Sequence, residues 1–220
     1  MSRTTLLVDL DGTLTDNFAG ISRSIRHALD RLGADIPAEG ELRTCVGPPL
    51  RVSFARLLAT RDGARIERAI ELYRERYATL GWAENVVYDG IATLLDALAA
   101  DGHRLFLCTS KPQPFAERIA RRFDLAPWFS GIYGADLGGA LDDKAALVAH
   151  LIASEDLAGG DCVMIGDREH DVRAAKANGA AAIGVLWGYG SLAELEAAGA
   201  DAVVGTPGEL PRAVAALARR

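Results

Sequence analysis

The chain has 220 residues, enough for one large domain or for one domain carrying an insert. Half of the residues are hydrophobic, which is ample for a core. A formal net charge of −6 argues against nucleic acid or an anionic membrane surface as a partner.

The first element is an apolar strand, Leu6, Leu7 and Val8, and it runs directly into Asp9-Leu10-Asp11-Gly12-Thr13-Leu14. Side chains alternate along a strand, so Asp9 and Asp11 project one way and Leu10 the other. Gly12 lets the backbone turn away without a Cβ clash. Two carboxylates forced together at the end of a buried strand repel unless a cation sits between them or one is protonated. An ordinary strand-ending turn uses the same residue types, so this hexapeptide by itself leaves both readings open.

A helical pattern comes next. Phe18, Ile21, Ile25, Ala28, Leu29 and Leu32 recur at three- and four-residue steps, and Gly33 closes the run. Leu50, Phe54, Leu57 and Leu58 repeat the pattern, as do Ile66, Ala69, Ile70, Tyr73, Tyr77 and Leu80. With no convincing strand between Asp16 and about Val86, the segment reads as a helical insert.

From Asp89 onward helices and short apolar strands alternate. Helices are predicted at 91–100, 112–123, 144–153 and 171–178, with another at the C-terminus, and strands at 103–108, 131–133, 162–165, 181–186 and 203–204. This alternation implies an α/β fold: a parallel sheet with helices on both faces, its ligand at the carboxyl ends of the strands. Cys45, Cys108 and Cys162 follow no metal-ligand spacing, and an odd number closes no disulfide framework. Thr4–Val8 is preceded by no basic-then-apolar leader, and no apolar run approaches a membrane span, so a soluble cytoplasmic protein is expected.

If the topology holds, the residues just past each strand share one site. After the second strand come Thr109, Ser110 and Lys111, where a hydroxyl and helix-start N–H groups form either a phosphate cradle or a simple N-cap. After the third comes Lys144, one of only three lysines in the chain; a lone lysine at a helix start is otherwise a surface residue. After the fourth comes Gly166-Asp167-Arg168-Glu169-His170-Asp171, with Asp167 at the strand end and Asp171 about one helical turn on. Capping of the helix start is the plainer use of those acids.

This ordered set of carboxylate pair, hydroxyl, lysine and second carboxylate pair resembles the haloacid dehalogenase-like superfamily, over nearly the whole chain. The resemblance implies a Rossmann-like core of residues 1–15 and 89–220 with a helical cap at 16–88. It makes Asp9 the nucleophile that forms an aspartyl-phosphate and Asp11 the general acid/base, with Thr109 and Lys144 holding the transferring phosphoryl group. It places Mg²⁺ on Asp9, the backbone carbonyl of Asp11 and Asp167, with Asp171 in support behind them. Gly12, Ser110 and Lys111 would line the substrate, a small phosphorylated metabolite.

Within that superfamily, Asp11 argues against dehalogenases, which expel halide and need no second acid. An insert without lysine argues against phosphonatases, which use an insert lysine as a Schiff-base amine. Val46-Gly47-Pro48-Pro49-Leu50, Thr109-Ser110-Lys111-Pro112 and Gly184-Val185-Leu186-Trp187-Gly188-Tyr189-Gly190-Ser191 resemble the phosphoglycolate-phosphatase-like branch, and within it bacterial 5′-nucleotidase-like proteins. Gly47 and Pro48 would then form a cap loop at the substrate, with Arg43 and Arg51 beside it. Trp187 and Tyr189 either wall the site or cover the sheet edge, and His170 either joins the site or stays in solvent.

The expected function is Mg²⁺-dependent hydrolysis of a nucleoside 5′-monophosphate. Phosphoglycolate hydrolysis and a sugar phosphomutase are the alternatives. A non-catalytic binding protein would have lost Asp9, Asp11 or Asp167, and all three stand. The apolar stripes of the cap leave monomer and homodimer both open.

Overall fold

A computed structural model describes residues 4–136 and 141–217. In chain order the elements are β1 (Thr5–Val8), β2 (Thr15–Asp16), α1 (Phe18–Arg31), α2 (Glu39–Arg43), α3 (Leu50–Leu57), α4 (Gly63–Thr79), β3 (Val86–Val87) and α5 (Ile91–Ala100). They continue with β4 (Arg104–Pro112), α6 (Gln113–Arg122), β5 (Gly131–Ala135), α7 (Lys144–Ser154), β6 (Cys162–Gly166) and α8 (Glu169–Ala177). The chain ends with β7 (Ala181–Val185), α9 (Leu192–Ala198), β8 (Ala202–Val204) and α10 (Leu210–Leu217). None of the described helices is long and apolar enough to cross a membrane.

The chain divides into two compact units, residues 1–15 with 87–220, and residues 16–86. The larger is built on a six-stranded sheet in the order β5-β4-β1-β6-β7-β8. Every pairing in it is parallel. Strand alternation sorts the core into two layers. Leu7, Phe106, Cys108 and Met164 pack with Leu147, Val148 and Leu151 of α7 and Val172 of α8. Val8 and Ile165, one residue on, line a small apolar pocket with Ile91, Leu94 and Leu95 of α5 and Leu210 of α10. The sheet is therefore covered on both faces, as its continuous apolar strands require.

β1 lies between β4 and β6. The chain builds outward to β4 and β5 on one side, then crosses to β6, β7 and β8 on the other. The reversal of strand order falls at the carboxyl end of β1, the place where such sheets bind ligands.

The smaller unit is helical, with α1 and α4 its longest elements. Ile25, Ala28, Leu29, Phe54, Ile70, Leu72, Tyr73 and Tyr77 are buried in it. Tyr73 and Tyr77, four residues apart on α4, stack at 5.2 Å between ring centroids. Gly20 and Gly81 pack backbone to backbone; a Cβ on Gly20 would stand 2.0 Å from the Gly81 carbonyl oxygen.

Candidate active site

The strand-end acids are set by how β1 stops. Asp9 N–H donates to Ile165 O at 2.9 Å, extending the pairing with β6 by one residue. The chain then folds back on itself: Leu14 N–H and Thr15 N–H both donate to Leu10 O, at 2.9 and 3.0 Å. Gly12 makes this turn with φ +86°, a conformation that disfavours a side chain. Leu10 is fully buried in the core, while Asp9 and Asp11 stand at the strand end.

Each of these carboxylates meets a lysine. Lys144 Nζ lies 2.7 Å from Asp9 Oδ1 and 3.0 Å from Asp171 Oδ1, its side chain only 6% exposed. Asp143 caps α7 by accepting from Ala146 N–H, so the helix begins at Lys144 itself. The surface reading of Lys144 thus gives way to a buried one. Lys111 Nζ lies 2.7 Å from Asp11 Oδ2, with 4% of its side chain exposed. Thr109 is buried, and its Oγ1 accepts from Lys111 N–H at 3.2 Å. Ser110, between them, is half-buried.

β6 contributes the other acids. Asp167 comes directly after its last residue and is fully buried. Its Oδ2 accepts from Tyr189 N–H at 2.8 Å, and its Oδ1 is buried with no hydrogen-bond partner. Asp171 sits in the first turn of α8, which starts at Glu169, two residues before the predicted start. It accepts from Arg168 N–H at 3.2 Å, so the capping use of this acid is real and coexists with its ion pair to Lys144. Gly166 makes room for it, since a Cβ there would stand 2.2 Å from Asp171 Cγ. His170 remains half-buried in that same turn.

Burial governs the electrostatics. It pushes the Asp167 carboxyl well above the usual range, and Asp171 and Asp9 push it further. Burial also raises Asp171; Lys144 opposes that rise and Asp9 adds to it. Burial works against the charge of Lys144, but Asp171 and Asp9 outweigh it and hold the ammonium above its ordinary range. Cys108, buried below the same site, is pushed up to about 12 by burial and stays a thiol.

Asp9, Asp167 and Asp171 offer carboxylate oxygens that all lie within 4.8 Å of one another. One lysine against three buried acids leaves this cluster short of positive charge. Asp167 Oδ1 is moreover an acceptor without a donor. The donor set is oxygen throughout, which suits a hard divalent cation such as Mg²⁺.

The predicted cap residues lie in the smaller unit. Gly47 is exposed with φ +102°, and Pro48 is half-buried. Arg51 is exposed and meets Glu67 through two hydrogen bonds, at 2.6 and 3.2 Å. Arg43 lies over the Phe18 ring at 4.5 Å and pairs with Glu39.

Two features of the site are invisible to motif and spacing. Lys111, expected as a substrate contact, has a carboxylate partner in Asp11. The segment Trp187–Gly190, expected as a wall or an edge cover, hydrogen-bonds site residues: Tyr189 N–H to Asp167, and Trp187 Nε1–H to Thr13 O at 2.9 Å. The only signal in the sequence is the pair of glycines flanking Tyr189.

The family model for haloacid dehalogenase-like hydrolases matches residues 6–185. A Pseudomonas aeruginosa 5′-nucleotidase is 48% identical over 192 residues, covering 87% of this chain and 86% of its own. The tyrosine-protein kinase PtkA of Mycobacterium tuberculosis is 44% identical over 84% of this chain, which spans only 62% of PtkA. A phosphoglycolate phosphatase of Agrobacterium fabrum is 32% identical over 83% of this chain and 80% of its own. A crystal structure of a predicted phosphatase from Clostridium acetobutylicum superposes with a TM-score of 0.93 at 38% identity, over 98% of this chain and all of that one.

Proposed function

Because the chain belongs to the haloacid dehalogenase-like hydrolases, we propose that it is a Mg²⁺-dependent phosphatase that hydrolyses nucleoside 5′-monophosphates through an aspartyl-phosphate on Asp9. The observation that carries this reading is the pair of buried lysine–carboxylate contacts at one strand end, Lys144 with Asp9 and Lys111 with Asp11. The 48% identity with a 5′-nucleotidase favours the nucleotide substrate.

Phosphate-monoester hydrolysis is among the slowest uncatalysed reactions, so rate gains reach ~10²¹. Asp9 replaces a poorly oriented water as the first nucleophile: its carboxylate oxygen bonds to phosphorus while the bond to the leaving oxygen breaks. Asp11, in its protonated form, donates a proton to that leaving alkoxide and is left as a carboxylate. It then takes a proton from the water that attacks phosphorus and frees Asp9, releasing inorganic phosphate. Lys144 orients the Asp9 carboxylate and, with Thr109, balances charge on the phosphoryl oxygens. Asp9, the Asp11 carbonyl and Asp167 would hold Mg²⁺, with Asp171 behind them. The ion supplies neutralisation of phosphoryl charge. The helical unit, residues 16–86, is the proposed cap, and Gly47, Pro48 and Arg51 are its proposed substrate contacts.

The test is phosphate release with Mg²⁺, comparing kcat/KM for several nucleoside 5′-monophosphates with phosphoglycolate. A nucleotide preference is expected. A phosphoglycolate preference would replace the substrate assignment, in line with the 32% identical relative. Return of the phosphoryl group to a sugar phosphate would make the protein a phosphomutase, and its passage from ATP to a tyrosine peptide would favour the likeness to PtkA.

A further inference from the structure

From the structure we infer that the strap Trp187-Gly188-Tyr189-Gly190, between β7 and α9, is the positioning element that holds Asp167 for a divalent cation. The inference rests on the Mg²⁺ reading above and assigns a part of the chain that this reading leaves without a role.

Asp167 is enclosed by backbone that has no Cβ. A Cβ on Gly188 would stand 2.5 Å from both Asp167 Cβ and Asp167 Oδ2, and 2.3 Å from Gly12 O. One on Gly12 would stand 2.3 Å from Asp167 Oδ2. One on Gly190 would stand 1.9 Å from the Asp167 carbonyl oxygen. Real Cβ atoms keep no such distances, so the strap can lie this close only as glycine. Inside this cradle the Tyr189 N–H bond to Oδ2, at 2.8 Å, fixes the rotation of the carboxylate. It occupies one oxygen and leaves Oδ1 as the buried acceptor without a partner.

The strap is itself anchored on the nucleophile's turn. Trp187 Nε1–H donates to Thr13 O at 2.9 Å, joining the strap to the segment that carries Asp9, Asp11 and Gly12. The other end is held where α9 begins: Glu194 accepts from Arg168 Nε at 2.8 Å and from Glu169 N–H at 3.0 Å. A single segment thereby sets the distance between the Asp167 carboxylate and the end of β1. Outer partners of this kind typically govern metal affinity by ~10–100-fold, because they orient the ligand before the ion arrives.

The experiment is calorimetric titration of Mg²⁺ into the substrate-free protein, with thermal melting of each variant alongside. Gly188→Ala should weaken Mg²⁺ binding by ~10–100-fold. Trp187→Phe, which keeps a ring but removes the indole donor, should weaken it several-fold. In both, Mg²⁺ affinity should fall by a larger factor than kcat measured at saturating Mg²⁺. Gly160→Ala, where an added Cβ meets nothing within 4 Å, is the control and should bind as the wild type does.

Wild-type affinity in a folded Gly188→Ala would overturn the inference. If that variant does not fold, wild-type affinity in Trp187→Phe overturns it by the same criterion. The underlying reading has its own control: a wild-type protein without Mg²⁺ binding, or Asp167→Asn binding as tightly as wild type, would refute the cation site itself.

Discussion

Two sets of ion pairs, one on the surface of the helical unit and one at the strand ends of the larger unit, serve opposite purposes. In the helical unit Arg51–Glu67, Arg68–Glu71 and Arg43–Glu39 join side chains that are each roughly half exposed. In the larger unit Lys144–Asp9 and Lys111–Asp11 join side chains exposed by no more than 14%. Exposed pairs contribute ~0–1 kcal/mol each, since water screens them and ordering two long side chains offsets the attraction. Buried pairs are different: the desolvation of both charges rivals their attraction, and removing either partner strands the other. Such pairs are a poor way to stabilise a fold and a good way to hold a carboxylate in one place. Charge density alone therefore does not locate the active site here; burial does.

The sharpest way to break this contrast is at Asp9, the proposed nucleophile. Asp9→Asn should lower turnover by at least ~10⁴-fold while the circular dichroism spectrum stays native, and substantial residual phosphatase activity would return Asp9 to a structural role. Lys144→Ala should rank second, with kcat down ~10²–10³-fold, because it removes the charge 2.7 Å from Asp9 that is proposed to balance the phosphoryl oxygens. A near-wild-type rate would mean that the burial of Lys144 has no catalytic use.

Arg76 tests the other unit at a largely enclosed ion pair. It donates to both oxygens of Glu84, at 2.8 and 2.9 Å, and to Ser24 Oγ at 3.2 Å. Glu84 lies below its usual range chiefly because of this bond, with burial acting the other way. Arg76→Met should reduce unfolding stability by ~1.5–3 kcal/mol, read from denaturant melts. Arg51→Ala, by contrast, should change stability by less than ~1 kcal/mol. A higher KM for the proposed nucleotide substrate at unchanged kcat would show that Arg51 reaches substrate as well as Glu67.

pH gives the gentlest probe. Burial raises Asp167 and Asp171 above their unfolded range, so the folded metal-free protein holds protons that the unfolded chain has released. Their ionisation thus weighs against the fold as pH rises from the ordinary carboxylate range through the raised one. On the proposed Mg²⁺ site both acids would bind the ion deprotonated, so its binding should strengthen over the same interval. The Mg²⁺-induced rise in Tm should be larger at pH 8 than at pH 5, and an equal rise at both would place the ion away from these acids.

Much of the framework is legible in the sequence because burial on both faces leaves a plain record. α5 runs from Ile91 to Ala100, as its apolar spacing predicts, and β6 and β7 fall within one residue of their apolar runs. Departures have local causes. β4 continues past Cys108 to Pro112 because Thr109 and Pro112 still pair with Gly134 and Ala135 of β5 across a register shift. Gln113 stabilises that extension: its side chain donates to Ile132 O and accepts from Gly134 N–H. A proline after a strand otherwise reads as a stop. α2 and α9, with five and seven residues, are too short to show a periodic stripe.

Local sequence is enough to establish the alternation of strands and helices, the acids at two strand ends, and the candidacy of Lys144 in a lysine-poor chain. These rest on rules acting over a few residues: strand alternation, helical spacing and the freedom of glycine to turn. Which lysine meets which acid, and the grip of the post-β7 strap on Asp167, emerge only once the sheet is assembled. Lys144 and Asp9 stand 135 positions apart, and Trp187 and Thr13 stand 174 apart. Contacts of that separation leave no local pattern, because they depend on how the strands are ordered in the sheet and not on any residue's neighbours in the chain.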